Sequence, residues 1–138
     1  MDKTLLDTDI LSEILKAKDL GVVAKATAYK TSFGRLTLSA ITVMEIVKGF
    51  QQKQRTDALR KFLESLKTSE VLSFDQACAE TAGRIYGDLE RAGQPIGRAD
   101  PMIAAIALQH GLVLVTGNSD HYQRIQALGY PLKLDNWR

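Results

Sequence analysis

The chain is predicted to be an α/β protein with a central, mostly parallel sheet flanked by helices on both faces. Two observations predict it. Short apolar or alternating runs take turns with segments of helical periodicity along the whole length, a pattern that favours right-handed crossovers between parallel strands. Four acidic residues, Asp7, Glu45, Asp100 and Asp120, each stand where such a run gives way to a helical pattern, and in a parallel sheet those junctions gather along one edge. At 138 residues the chain has room for one real core, so a single domain over 1–138 is expected.

The elements follow in order. A first strand is expected at residues 3–6, after which Ile10, Leu11, Ile14 and Leu15 recur at helical spacing. Val22, Val23, Ala26 and Tyr29 carry a second helix, and residues 35–41 read as the second strand. Residues 42–50 and 56–66 read as helices and 70–74 as a third strand. A longer helix starts at Asp75 and is ended by Gly93, as glycine commonly ends helices. After the loop 94–98, Asp100-Pro101 opens a helix, proline being tolerated at the first helical position and the aspartate able to cap. Met102, Ile103, Ile106 and Ala107 form its apolar face, and His110 and Gly111 close it. Residues 112–115 are the most strand-like run, 119–128 a short helix, and 130–134 a last strand.

Composition removes several function classes. Apolar residues make up 45% and charged residues 25%, as in an ordinary globular domain. A net charge of +2 does not mark a nucleic-acid binder, so any RNA partner must be met by locally concentrated charge. Cys78 is the single cysteine, which excludes an intrachain disulfide and a thiolate metal cage and points to a reducing compartment. No stretch approaches the ~20 apolar residues of a membrane span, and the N-terminus carries Asp2 and Asp7 rather than a long apolar run. A cytoplasmic protein without a membrane partner is expected.

Each acid has a plain structural reading. Thr42-Val43-Met44-Glu45 matches a capping box, in which Glu45 only returns a hydrogen bond to the Thr42 backbone. Asp100 before Pro101 reads as an N-cap, and Asp9 or Asp120 can serve the same purpose. Asp7 resists that reading, since it follows the apolar pair Leu5-Leu6 at a strand end. Capping alone does not explain acids at the ends of three strands. Carboxylates gathered on one edge repel unless a cation lies among them, and oxygen donors suit a hard ion such as Mg²⁺ or Mn²⁺. Thr116, Gly117 and Asn118 end the strand at 112–115 in groups able to orient such a site through hydrogen bonds, or simply to form a turn. His110 suits a helix C-terminus as a structural residue, while His121 is left open.

Four blocks then carry a resemblance: Leu5-Leu6-Asp7-Thr8-Asp9-Ile10-Leu11, Ser39-Ala40-Ile41-Thr42-Val43-Met44-Glu45, Ala99-Asp100-Pro101-Met102-Ile103-Ala104-Ala105, and Val115-Thr116-Gly117-Asn118 through His121-Tyr122. Their order and spacing resemble PIN-domain nucleases over essentially the whole chain, most nearly the VapC-type toxin ribonucleases of bacterial toxin–antitoxin pairs. The resemblance implies a PIN-like three-layer fold, with Asp7, Glu45 and Asp100 on the metal-binding positions. It also implies Thr8, Asp9, Thr116 and Asn118 as residues that hold those ligands from behind. The fourth block departs from the pattern: Asn118 stands where an aspartate is frequent, and His121 where an acid commonly precedes phenylalanine. Asp120 is offset but is taken as a fourth catalytic carboxylate.

The chemistry so implied is endoribonucleolytic hydrolysis, a Mg²⁺ ion (Mn²⁺ able to substitute) lowering the pKa of a coordinated water and neutralising charge at phosphorus. Arg98 and Lys48 are candidate RNA contacts. Lys53 with Arg55 is another pair, more simply read as solvated surface charge. The resemblance further implies a small cognate antitoxin, a homodimer and a toxin–antitoxin hetero-oligomer, for which Ile14, Leu15, Phe50 and Phe62 offer apolar surface where the core does not claim them. Two other readings stand beside it. Asp7-Thr8-Asp9 also resembles the first motif of haloacid-dehalogenase-type phosphatases, with Asp7 as nucleophile, although only Lys133 and Asp135 follow Thr116 where that mechanism expects a lysine and an acidic pair. A catalytically inactive PIN-like binding module is the second.

Overall fold

The computed structural model describes residues 1–138. Five strands, β1 (Thr4–Leu6), β2 (Thr37–Ser39), β3 (Glu70–Leu72), β4 (Val113–Val115) and β5 (Lys133–Asp135), form one sheet in the order β3-β2-β1-β4-β5. Every pairing is parallel. The helices are α1 (Thr8–Lys16), α2 (Leu20–Phe33), α3 (Ala40–Gln52), α4 (Thr56–Ser65), α5 (Gln76–Arg91), α6 (Asp100–His110) and α7 (Ser119–Ala127), with a 3-10 turn at Leu66–Thr68.

The central strands of a parallel sheet covered on both faces are near-continuous apolar runs, as β1 and β4 are, and the period of two divides their side chains between two cores. Leu5 and Leu114 face one core with Ile85, Leu89, Ile103, Ile106, Tyr122 and Ile125 of α5, α6 and α7. Leu6 and Val115 face the other with Ile10, Val22, Tyr29, Ile46 and Phe62 of α1 to α4, and with Trp137. Each fully buried leucine or isoleucine contributes roughly 1.5–3 kcal/mol relative to exposure, so these layers, not the three-residue strands, hold the sheet together. Asp19 and Asp75 cap α2 and α5 through the amides of Val22 and Cys78, and Gly111, at φ +64°, ends α6 in the left-handed conformation that glycine tolerates.

The register aligns the site. Leu6 lies opposite Leu38 and Val115, and Val115 opposite Asp135, so Asp7, Ser39 and Thr116 all leave the sheet along its carboxyl edge.

The second, third and last strands are shorter or shifted relative to the sequence reading. The second strand stops at Ser39, because the Ser39 hydroxyl accepts the Thr42 amide at 3.0 Å and starts α3 two residues early. The third ends at Leu72, while Phe74 leaves the sheet to pack against the core. The last strand is 133–135 rather than 130–134, since Leu132 turns back to the Tyr130 carbonyl before pairing begins. Of the apolar residues offered for partner contacts, Phe62 is buried, Ile14 and Phe50 pack against the core, and Leu15 stays 40% exposed.

Candidate active site

Asp7 follows β1 directly, and its amide continues the ladder to the Val115 carbonyl at 2.8 Å. Its carboxylate accepts the Thr8 amide on Oδ1 and the Thr116 hydroxyl on Oδ2, both at 2.8 Å. The first of these makes Asp7 the N-cap of α1, a structural duty that the sequence reading had denied it. Asp7 is only 5% exposed. Burial pushes its pKa up to about 6, the negative charges of Asp9 and Asp100 push the same way, and the bonds from Thr116 and Thr8 oppose them.

Glu45 has no part in a capping box. With Ser39 as the cap, Glu45 falls in the second turn of α3, and its Oε1 accepts the Thr8 hydroxyl at 2.5 Å. Thr8 Oγ1 also lies 3.0 Å from Thr42 Oγ1, so a row of hydroxyls links α1 to the start of α3.

Asp100 does not cap α6 either. It occupies the first helical position after Ala99. From there its carboxylate meets α7: His121 Nδ1 lies 2.8 Å from Oδ2, the Tyr122 hydroxyl donates to Oδ1 at 3.3 Å, and Asn118 Nδ2 donates to Oδ2 at 3.4 Å. Burial, then the charges of Asp7 and Asp100, raise the Tyr122 hydroxyl well above its ordinary range, so it stays a donor. Asn118 Nδ2 stands 2.9 Å from His121 Nδ1, and the Asn118 amide donates to Thr116 Oγ1. His121 therefore lies inside the acidic group, where the sequence left it open. Its signal was its position three residues past the turn at Thr116-Gly117-Asn118, on the first turn of a helix.

Asp9 Oδ2 accepts the Gly117 amide at 2.9 Å, and its Oδ1 is buried without a partner. Arg138 reaches the same corner, 3.8 Å from Asp9 and 3.6 Å from Glu13, with its guanidinium so close over Gly117 that a Cβ there would collide with it. No sequence pattern signals this contact, because it depends on Trp137 anchoring the tail in the core. Asp120, Arg98 and Lys48 are all exposed, and Asp120 stands apart from the bonds that join the other acids.

Asp7, Asp9 and Asp100 are thus coupled by charge, and Glu45 joins them through Thr8. No three of these side chains close into a ready-made cage. The donors are nevertheless all oxygen, one carboxylate oxygen is buried and unpaired, and Asp7 is disfavoured as an anion. Each of these features fits a hard divalent cation.

Thr8 and Glu45 also line a groove between α1, α3 and α4, with a volume of about 710 Å³. Lys53 and Arg55, read from sequence as surface charge, line it. Lys133, the one lysine beyond Thr116, begins β5 opposite Val113, at the far end of the strand from the acids.

The PIN domain model matches residues 4–127. The chain is 32% identical over 129 residues to the tRNA(fMet)-specific endonuclease VapC of Shigella flexneri, covering 93% of this chain and 96% of that one. The crystal structure of DNA-bound VapBC from Salmonella typhimurium superposes with a TM-score of 0.83 at 31% identity over the full length of both chains. That of FitAcB from Neisseria gonorrhoeae gives 0.79 at 27%, over 97% of each. With Lys133 out of reach, the phosphatase reading lacks its essential cation, and these matches replace it.

Proposed function

The chain belongs to the PIN-domain family, in its VapC-type branch, and from that premise we propose that the carboxyl edge of its sheet is the catalytic centre of a divalent-metal-dependent endoribonuclease. It is a nuclease that acts on RNA and pairs with a cognate antitoxin. Dimerisation is part of the proposal, as is Mg²⁺ as the ion, with Mn²⁺ as substitute. The observation that carries the assignment of residues is the convergence of Asp7, Asp9, Asp100 and, through Thr8, Glu45 on one edge, with a buried carboxylate disfavoured as an anion.

Asp7, Asp100 and Glu45 would hold the cation, which when bound supplies the Lewis acidity that phosphodiester hydrolysis needs. The chain's own residues do the rest. Thr116 and the Thr8 amide fix both oxygens of Asp7, so its carboxylate presents the same geometry before and after substrate arrives. His121, Tyr122 and Asn118 fix Asp100 in the same way. Glu45, held by Thr8 through Oε1, orients the attacking water beside the cation. Asp120 serves as an auxiliary carboxylate at the rim.

Purified protein tests this directly. It should cleave RNA with Mg²⁺ or Mn²⁺ and stop with EDTA, and Asp7→Asn should be folded and inactive. Mn²⁺ at a hundredfold excess over its Kd should stabilise the wild type by roughly 2.7 kcal/mol. A folded Asp7→Asn protein with full activity would remove the assignment, and no melting shift at millimolar Mn²⁺ would favour an inactive binding module.

A further inference from the structure

We propose that the groove between α1, α3 and α4 is the track along which the RNA backbone runs to the acidic edge. The inference rests on the ribonuclease reading above and assigns it a substrate-binding surface. The groove has the size of a ligand cleft, and Thr8 and Glu45 of the acidic edge are among the residues that line it. Along its walls stand Lys16, Lys18, Lys53, Arg55 and Lys61, and Glu45 is its single acid.

All five cations are exposed. None of them forms an ion pair, whereas Arg60 and Lys67, the other cations on and just after α4, are neutralised by Asp57 and Glu64. A chain whose net charge is only +2 therefore concentrates five unneutralised positive charges along one cleft. Such charges repel one another until a polyanion lies among them, and a phosphate backbone does so with release of its counterions. The Arg55 guanidinium lies 5.6 Å from the centroid of the Phe50 ring, which leaves a planar cation and an aromatic on one wall, the pairing on which single-stranded bases stack. An acidic peptide would also answer the charge. Continuity with Glu45 favours RNA, because the scissile phosphate must reach that residue and its flanking phosphates must lie beside it.

The test is a Lys16→Gln/Lys53→Gln/Lys61→Gln protein, with Arg84→Gln/Arg91→Gln on α5, across the sheet, as control. Binding of a fluorescent RNA hairpin is measured in an Asp7→Asn background over a salt series, and kcat and KM in the active background. The groove variant should raise Kd and KM at least tenfold with kcat within twofold. It should lower the slope of log Kd against log salt by about 2, at roughly 0.7 per lost phosphate contact. Lys→Arg at the same three positions should restore both, and the control should change neither. Unchanged Kd and slope in a protein that still cleaves RNA would overturn the groove while sparing the ribonuclease reading. Loss of antitoxin binding with RNA affinity intact would overturn it too, assigning the groove to the protein partner. A wild type that neither binds nor cleaves RNA would overturn both.

Discussion

The Thr116 hydroxyl donates to Asp7 Oδ2 at 2.8 Å, tying the ends of β1 and β4 through residues 109 positions apart. Thr116 is fully buried, so no water replaces that donor if it is lost. The bond is one of two that hold the Asp7 pKa down to about 6 against burial and two neighbouring charges. Thr116→Val keeps the shape and removes the donor. The acid limb of the pH–rate profile should then move to higher pH, with roughly tenfold slower cleavage at neutral pH and partial recovery toward pH 8. Superimposable profiles would show that Thr116 does not tune Asp7.

Asp7 also links pH to stability. Its folded pKa of about 6 lies above the ordinary 3.8, so the fold favours the protonated acid. That contribution is fully present below about pH 4 and is lost as pH rises through 6. At neutral pH the ionised, metal-free protein is therefore destabilised at this position by at most about 3 kcal/mol. Asp7→Asn should melt no lower than wild type at pH 7.5 in EDTA, and the difference should shrink or reverse at pH 4. Cleavage should meanwhile fall by about a hundredfold or more. A variant that melts well below wild type at pH 7.5 would make Asp7 a structural residue first.

Glu45 separates two roles cleanly, because its carboxylate bonds the Thr8 side chain and not a helix end. Glu45→Gln can still accept from Thr8, so stability should stay within about 1 kcal/mol, while activity should drop about a hundredfold. Thr8→Val should cost about tenfold through loss of orientation. Equal and small losses in both would argue that the pair only fastens α1 to α3.

These residues show what was legible in the sequence. The α/β class, the parallel sheet and the edge carrying Asp7, Glu45 and Asp100 followed from periodicity and from acids at strand ends, which are local signals. The capping assignments for Glu45 and Asp100 failed because Ser39 and Ala99 took the cap positions, and a shift of three residues in one case and one in the other leaves no trace in hydrophobic pattern. The contacts of His121 with Asp100 and of Arg138 with Asp9 join segments 21 and 129 residues apart, and only the packed helices bring them together.

In the proposed site His121, 2.8 Å from Asp100 Oδ2, is a positioning residue for that carboxylate. His121→Ala should slow cleavage about tenfold and raise the divalent-ion concentration for half-maximal rate, with the same product ends as wild type. His121→Asn, able to keep one hydrogen bond, should recover part of the loss. A dead His121→Ala protein unresponsive to added Mn²⁺ would place the proton chemistry on the imidazole.

In the proposed mechanism water, not the RNA's own 2′-hydroxyl, attacks the phosphate on an edge built from Asp7, Asp100 and Glu45. End-group analysis of the cleaved RNA tests it most directly, using purified protein with and without EDTA and a substrate carrying a 2′-deoxy sugar at the scissile position. Attack by water should give 5′-phosphate and free 3′-hydroxyl ends, no cleavage in EDTA, return of activity with Mg²⁺ or Mn²⁺, and continued cleavage of the deoxy substrate. Cyclic 2′,3′-phosphate ends formed in EDTA, with the deoxy substrate left intact, would contradict it.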